Sequence, residues 1–264
     1  MSSLYQQLAG QSIATAIERL ENDIRQRPTD ADLRAAFVQL LCLAGNWPRA
    51  TLQLKSWLAL TPSALPTVTL LEQAVQGERQ RAAVFAAQAQ PKMPDHAWPW
   101  LTDFSNALNL SAEAANICRE QALARAELNP GSLTDTNQNT HTFDWLMDGD
   151  TRLGPLCEVI VNGQYFWIPF QAIAEIRFQA PASVTDLIWR HASVTLTDGS
   201  EQVCQIPARY PLSDQNEENE LLSQTTHWQP MDQQGNCYQG KGQKIWLNDQ
   251  EEFPILSLNT VSFT

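Results

Sequence analysis

The sequence predicts a multidomain chain of the α+β class, with tetratricopeptide-like helical repeats first and a β-rich domain after them. Apolar residues of the first half recur at helical spacing with a period of 34 residues. The second half contains short runs of β-branched and aromatic residues around turn-forming dipeptides, and a run of turn formers separates the halves. We therefore expect a helical domain over residues 1–130, a linker over 131–142, and a small barrel or curled antiparallel sheet over 143–264.

The helical prediction depends on four positions that repeat with the same residue classes: one small residue, two large apolar residues and a proline. In such repeats the small residue lets paired helices approach, and the proline closes the second helix. A further multiple of 34 reaches His96, where the pattern fails. The matched positions are Ala16, Leu20, Ile24 and Pro28, then Ala50, Leu54, Leu58 and Pro62.

The stretch that follows predicts two more helices and then an extended connection. Leu65–Val75 and Glu78–Ala89 have helical composition, and Gly77 predicts a break between them. Three prolines fall between residues 91 and 99, and because proline lacks an amide donor, this part is expected to be extended.

The first β-hairpin is predicted around Asn162-Gly163, which lies between the runs Leu156–Val161 and Gln164–Ile168. Both central positions of a two-residue hairpin turn need a positive φ angle, which asparagine and glycine adopt at low cost. A second hairpin is predicted in the same way around Asp198-Gly199, and the run Ile173–Phe178 joins the two hairpins.

The composition restricts the classes of function. The net charge is −12, of which −1 falls in residues 1–130 and −11 in residues 131–264, so nucleic-acid binding is disfavoured. This acidic charge either maintains solubility or steers a basic partner. No apolar run approaches the roughly 20 residues that a membrane helix needs. The five scattered cysteines and the absence of an export signal predict a cytoplasmic protein.

The sequence offers little catalytic equipment. The four histidines have no metal-binding spacing, and no phosphate-binding glycine loop follows a strand, so we expect neither metal nor cofactor. The carboxylates Asp148, Asp150 and Glu158 could perform acid–base hydrolysis if an apolar pocket raised one pKa. Alternatively, Arg152 pairs with Asp150 or Asp186 and fixes the domain junction. Arg209, between two prolines, suits a structural clamp through its five donors.

Several short motifs in this order resemble the ImpE family, also called SciE or TagJ. They include Asp150-x-Arg152-x-Gly154-Pro155, Asn162-Gly163 with Pro169, Asp186 with Trp189, and Pro207-Ala208-Arg209-Tyr210. The resemblance covers nearly the whole chain. One departure is Ser223–Trp228, where an arginine is expected before the Thr-x-Trp motif. The positions interpreted as structural are Asp150, Arg152, Gly154, Pro155, Asn162, Gly163, Pro169, Asp186, Pro207 and Arg209.

The resemblance implies a non-enzymatic accessory protein of bacterial type VI secretion. Such a protein would bind the contractile sheath through the N-terminal helix of its small subunit and modulate sheath assembly or disassembly. A self-associating scaffold of the apparatus and a carboxylate-dependent hydrolase are the alternatives. The expected partner-binding residues are Trp47, Trp57, Trp98 and Trp100 in the repeats, or Tyr165, Trp167, Trp189 and Tyr210 in the β domain.

Overall fold

The computed structural model describes residues 11–94, 98–213, 215–232 and 235–264; His96 lies outside them. Helices come first and an antiparallel sheet region follows, so the α+β class is confirmed. The relation of the helices to tetratricopeptide repeats stays a prediction. The described helices are α1 (Ile13–Gln26), α2 (Ala31–Leu43), α3 (Trp47–Leu60), α4 (Leu65–Phe85), α5 (Pro99–Ala107), α6 (Ala112–Leu123) and the short α7 (Glu218–Leu221).

The first helices begin at capping side chains and pack against their neighbours in the chain. Ser12 accepts a hydrogen bond from the Thr15 amide at the start of α1, and the Asp30 carboxylate caps α2. Helix α2 is buried along most of its second half and contacts both α1 and α3. The repeated small and large positions, Ala16 and Leu20 in α1 and Ala50 and Leu54 in α3, are all buried.

Antiparallel strands form most of the second half. They are β1 (Gly131–Asp135), β2 (Thr140–Phe143), β3 (Met147–Asp148), β4 (Leu156–Val161), β5 (Gln164–Pro169), β6 (Ile173–Phe178), β7 (Trp189–Leu196), β8 (Glu201–Pro207), β9 (Thr226–Pro230), β10 (Tyr238–Gly242), β11 (Ile245–Leu247), β12 (Glu252–Pro254) and β13 (Leu258–Phe263). Eight of them form one sheet with the order β2-β1-β13-β6-β7-β8-β4-β5. Two smaller sheets have the orders β12-β11-β3 and β10-β9.

Both predicted hairpins are present, but their turns differ. Asn162 and Gly163 have φ angles of 49° and 76°, as a two-residue turn requires. In the second hairpin only Gly199 has a positive φ, of 86°. The Gly199 amide donates to the Leu196 carbonyl at 2.9 Å, and the Leu196 amide donates to the Ser200 carbonyl at 2.8 Å. The expectation of the same turn at Asp198-Gly199 was therefore wrong, because this loop contains three residues instead of two.

The segment 131–142 is not a linker. It forms β1, most of β2 and the turn between them, and β1 also pairs with β13. Leu133, the one large apolar residue of the segment, is 1% exposed. The Asp135 carboxylate accepts hydrogen bonds from the amides of Asn137 and Asn139. The turn-forming residues thus build a hairpin at the sheet edge, where outward polar side chains are expected.

Helix α4 runs without a break through Gly77, contrary to prediction. A Cβ atom at this position would lie 2.5 Å from Cγ2 of Ile160 on β4, which is far inside van der Waals contact. The glycine therefore allows close approach of helix and sheet instead of ending the helix. The close approach also brings Glu78 and Arg81 of α4 against the sheet.

Replacing Gly77 by valine is expected to lower the free energy of unfolding by about 1–3 kcal/mol, since the added methyl groups would overpack the contact with Ile160. Urea denaturation monitored by tryptophan fluorescence measures the change. The matched control is Glu72→Val, at an exposed position of the same helix. Valine has a higher helix propensity than glycine but a lower one than glutamate, so a loss at Gly77 no larger than the loss at Glu72 would contradict the role of the helix–sheet contact.

The two faces of strand β4 belong to different cores. Leu156 and Ile160 join the core that the helices form, together with Trp167 and Trp189. Val159 lies in the second core, between the sheet and the smaller strands. Because the first core includes residues of both parts, the helical part and the sheet pack directly on each other.

Candidate functional site

A network of buried charges occupies the junction between α4 and the sheet, and Glu158 of β4 is at its centre. Its carboxylate accepts hydrogen bonds from Nε and Nη2 of Arg81, at 2.6 and 2.9 Å. Nζ of Lys244 lies 2.6 Å away, and the Tyr165 hydroxyl donates at 2.5 Å. Burial acts to raise the pKa of Glu158, but the Arg81 and Lys244 cations outweigh it and hold this pKa well below its usual range.

Asp148 shares Lys244 with Glu158. Nζ of Lys244 lies 2.5 Å from Oδ2 of Asp148, and the Tyr210 hydroxyl donates to Oδ1 at 3.1 Å. Burial raises the pKa of Asp148, the attraction of Lys244 lowers it, and the nearby Glu158 and Asp150 carboxylates raise it again, so that it lies at about 6. The Asp148 and Glu158 carboxylates therefore share one ammonium group, and Glu158 forms a second ion pair with Arg81.

The loop of residues 149–155 is fixed by Asp150. This carboxylate accepts two hydrogen bonds from Arg152, at 2.9 Å from Nε and 2.6 Å from Nη2. It also accepts from the Gly240 amide of β10 at 3.1 Å. Of the two partners predicted for Arg152, the structure has Asp150, whereas Asp186 accepts from the amides of Ala182 and Ser183.

Arg209 joins the sheet to helix α2. Its guanidinium donates to the carbonyls of Leu43 at 2.8 Å, Leu221 at 2.6 Å and Cys42 at 3.2 Å. The side chain is buried, and burial lowers its pKa to about 10. These contacts place Arg209 as a clamp on the last carbonyls of α2, where a cation also suits the helix dipole.

Each candidate catalytic carboxylate thus has a cation partner. The side chains of Asp148, Asp150 and Glu158 are at most 1% exposed. The chemistry that this arrangement supports is ion pairing across the junction. Within the described ranges, no group of three or more His, Cys, Asp and Glu side chains could hold a metal ion, and no helix is long and apolar enough to cross a membrane.

Five of the eight aromatic residues expected to contact a partner are interior. Tyr165, Trp167, Trp189 and Tyr210 are at most 1% exposed, and Trp100 is 4% exposed, so they cannot reach a partner at the surface of this fold. Strand alternation points the first three at the helices, where their polar atoms find partners: the Trp189 indole donates to Glu78 at 3.1 Å and the Trp167 indole to the Tyr165 hydroxyl at 2.6 Å. The other three, Trp47, Trp57 and Trp98, are half-buried against the helical core.

A cleft of about 1150 Å³ opens on the other side of the 149–155 loop. Helix α6 forms one wall, and the β9–β10 hairpin with strands β3 and β11 forms the other. Gly149, Thr151 and Gly154 of the 149–155 loop also line it, and Gly154 belongs to the family motif. The main apolar side chains that line the cleft are Phe104, Ile117, Leu123, Met147, Met231 and Leu247.

The α6 wall has large apolar side chains that nothing in the described chain covers fully. Ile117 is 50% exposed and Leu123 is 41% exposed. Glu113, Glu120 and Asp232 lie around them and make the rim acidic. Sequence reasoning missed this cleft, because only the tertiary structure brings α6 opposite the β9–β10 hairpin. The available signal was the pair Ile117 and Leu123, the two large apolar residues of a helix with otherwise small and polar residues.

Arg119 also lines the cleft and is only 6% exposed. Its Nη1 donates to Oδ1 of Asn116 at a long 3.4 Å. Its Nε is buried and has no acceptor among the described residues. Burial lowers the pKa of Arg119, and the nearby Arg152 cation lowers it further. Arg119 of α6 thus adds a second guanidinium near the Asp150–Arg152 pair, and among the described residues no carboxylate forms an ion pair with it.

The chain matches a family model, a secretion-system protein and a solved structure. The family model described as "ImpE protein" matches residues 140–262. The type VI secretion system accessory component TagJ of Pseudomonas aeruginosa is 34% identical over 253 residues, which cover 94% of this chain and 86% of that protein. The crystal structure of protein VPA1032 from Vibrio parahaemolyticus superposes with a TM-score of 0.84 at 25% identity, and covers 100% of this chain and 98% of that one.

Proposed function

The chain belongs to the ImpE family, and from this membership we propose that it is a non-enzymatic accessory component of a bacterial type VI secretion system. It binds another component of the apparatus as an adaptor. The name of the Pseudomonas aeruginosa relative supports the accessory role. The pairing of every buried carboxylate at the junction supports a structural use of those residues.

The partner in this proposal is the N-terminal helix of the small sheath subunit, and the docking site is the cleft between α6 and the β9–β10 hairpin. The observation that carries the proposal is the half-exposed pair Ile117 and Leu123 on a wall of this cleft. An amphipathic helix binds by placing its apolar face in such a groove. Docking there would modulate sheath assembly or disassembly.

The volume of the cleft is close to that of a short helix. A cylinder about 10 Å across and about 15 Å long, roughly ten residues of α-helix, has nearly the volume of the cleft. The acidic rim of Glu113, Glu120 and Asp232 would favour basic side chains at the edges of that helix. Recognition therefore combines an apolar centre with a charged border, as in protein–protein interfaces generally.

Calorimetric titration with a synthetic peptide of the small sheath subunit's N-terminal helix tests the proposal. We expect saturable binding to the native chain and at least about 30-fold weaker binding to the Ile117→Glu/Leu123→Glu double variant, because its charges would be desolvated against the peptide. The control is Leu52→Glu on α3, whose leucine is 62% exposed outside the cleft. Circular dichroism checks that all variants are folded.

Two outcomes would contradict the proposal. No saturable binding by the folded native chain would rule out this partner helix. Equal weakening by Leu52→Glu and by the double variant would place the contact outside the cleft. Light scattering at micromolar concentration addresses the scaffold alternative: a dimer that the double variant disrupts would mean that the cleft is a self-association surface.

A further inference from the structure

We propose that Arg119 is a carboxylate receptor in the docking cleft and that it selects a helix with one acidic residue on its otherwise apolar face. This inference rests on the proposed function, since it assigns a specificity residue to the same cleft. It differs from the general role of the acidic rim, which would favour basic residues at the helix edges.

Arg119 is the one Arg or Lys among the described residues that line the cleft, and its guanidinium is buried without a counter-ion. Among the described residues, no carboxylate forms an ion pair with it, whereas Arg81, Arg152 and Lys244 each contact at least one carboxylate. Within the part of the chain that the structure describes, its one side-chain hydrogen bond, to Asn116, is long, and its Nε has no acceptor. A buried polar group without a partner is costly, and a ligand that supplies an acceptor removes this cost.

Two carboxylates in this region of the described chain, Asp150 and Asp232, accept hydrogen bonds from groups other than Arg119, and Asp232 is linked to it only through Asn116. Asp150 accepts both donors of Arg152 and the Gly240 amide. Asp232 accepts from the amides of Gly235 and Asn236. A bound partner would therefore supply the hydrogen-bond acceptor for the Arg119 guanidinium. It would reach the guanidinium through the cleft that Arg119 lines.

The surroundings favour a carboxylate over a more highly charged anion. A guanidinium presents planar donors that match a carboxylate in a bidentate arrangement. The rim residues Glu113, Glu120 and Asp232 would repel a phosphate, which carries up to two negative charges. An Asp or Glu side chain brings one charge, and basic neighbours on the same helix would offset the rim.

A double-mutant cycle tests this pairing. The peptide of the small sheath subunit's N-terminal helix, amidated at its C-terminus, is prepared with each Asp or Glu replaced in turn by Asn or Gln, and every peptide is titrated into native protein and Arg119→Met. We expect one position to weaken binding to the native chain by at least about 30-fold and to have less than about a threefold effect in Arg119→Met. Glu72→Gln, outside the cleft, is the control variant.

A thermal melt of the free protein gives a second readout. Because Arg119 has no counter-ion in the described chain, Arg119→Met is expected to melt at the native temperature or above it, whereas Arg81→Met, which breaks a buried ion pair, melts well below it. A melting temperature of Arg119→Met that falls as far as that of Arg81→Met would show that Arg119 is structural and would overturn the inference.

The peptide outcomes separate the two proposals. If the native chain binds the peptide but no acidic position couples to Arg119, the receptor inference is wrong and the docking proposal stands. If the folded native chain does not bind the peptide, both are wrong for this partner.

Discussion

Replacing Glu158 by glutamine is expected to lower the free energy of unfolding by about 3–5 kcal/mol, the range for breaking a buried ion pair. Glutamine fits the space but cannot balance the charges of Arg81 and Lys244, which lie 2.6 Å from the native carboxylate. The hydrogen bond that the Tyr165 hydroxyl donates to the carboxylate would also be weakened, because an amide oxygen carries no full negative charge. Urea denaturation at pH 7, monitored by circular dichroism, measures the change.

The matched control is Glu175→Gln. Glu175 pairs with Arg177 at 2.5 Å, but that arginine side chain is 65% exposed, so the expected loss is at most about 1 kcal/mol. Similar losses in both variants would mean that the buried network contributes no more than a surface ion pair.

The effect of Glu158→Gln should also depend on pH. The pKa of Glu158 in the folded chain is held well below its ordinary value of 4.5, so its contribution is fully present above pH 4.5 and is lost as the pH falls toward the folded pKa. The difference between native protein and variant should therefore shrink between pH 5 and pH 3. A difference that is constant over this range would contradict the ion-pair explanation.

Arg209→Lys is expected to lower the free energy of unfolding by about 2–4 kcal/mol. The guanidinium donates to three carbonyls on two elements, and a lysine ammonium, a compact point charge on a shorter side chain, cannot reproduce that fork. Buried carbonyls at the end of α2 would lose their donors, each at a cost of about 1–3 kcal/mol.

Hydrogen exchange locates this effect. Amides in the last turn of α2 and in α7 should exchange faster in Arg209→Lys, whereas those of β4 should change only with global stability. The control is Arg177→Lys, at an exposed position of β6. A variant as stable as the native protein would show that Arg209 does not act as the clamp described above.

The agreement between sequence and structure is best where local chemistry decides. Asn162-Gly163 predicts its turn because few other residues accept positive φ angles at both positions. The loop at Asp198 has three residues instead of two, because Gly199, its third residue, adopts the positive φ angle that such a loop needs. The network was predicted only in part: Arg152 with Asp150 is a local pair, whereas Arg81 and Glu158 are 77 residues apart.

By itself, the sequence determined that helices precede a β-rich part, the positions of both hairpins and membership of the family, because turn chemistry, periodicity and short motifs are local properties of the chain. Only the tertiary structure decided which aromatic residues are interior, that Gly77 is a packing contact, and that α6 faces the β9–β10 hairpin across a cleft. These features depend on contacts between segments far apart in the chain, and burial or exposure of a side chain follows from those contacts and not from its neighbours in sequence.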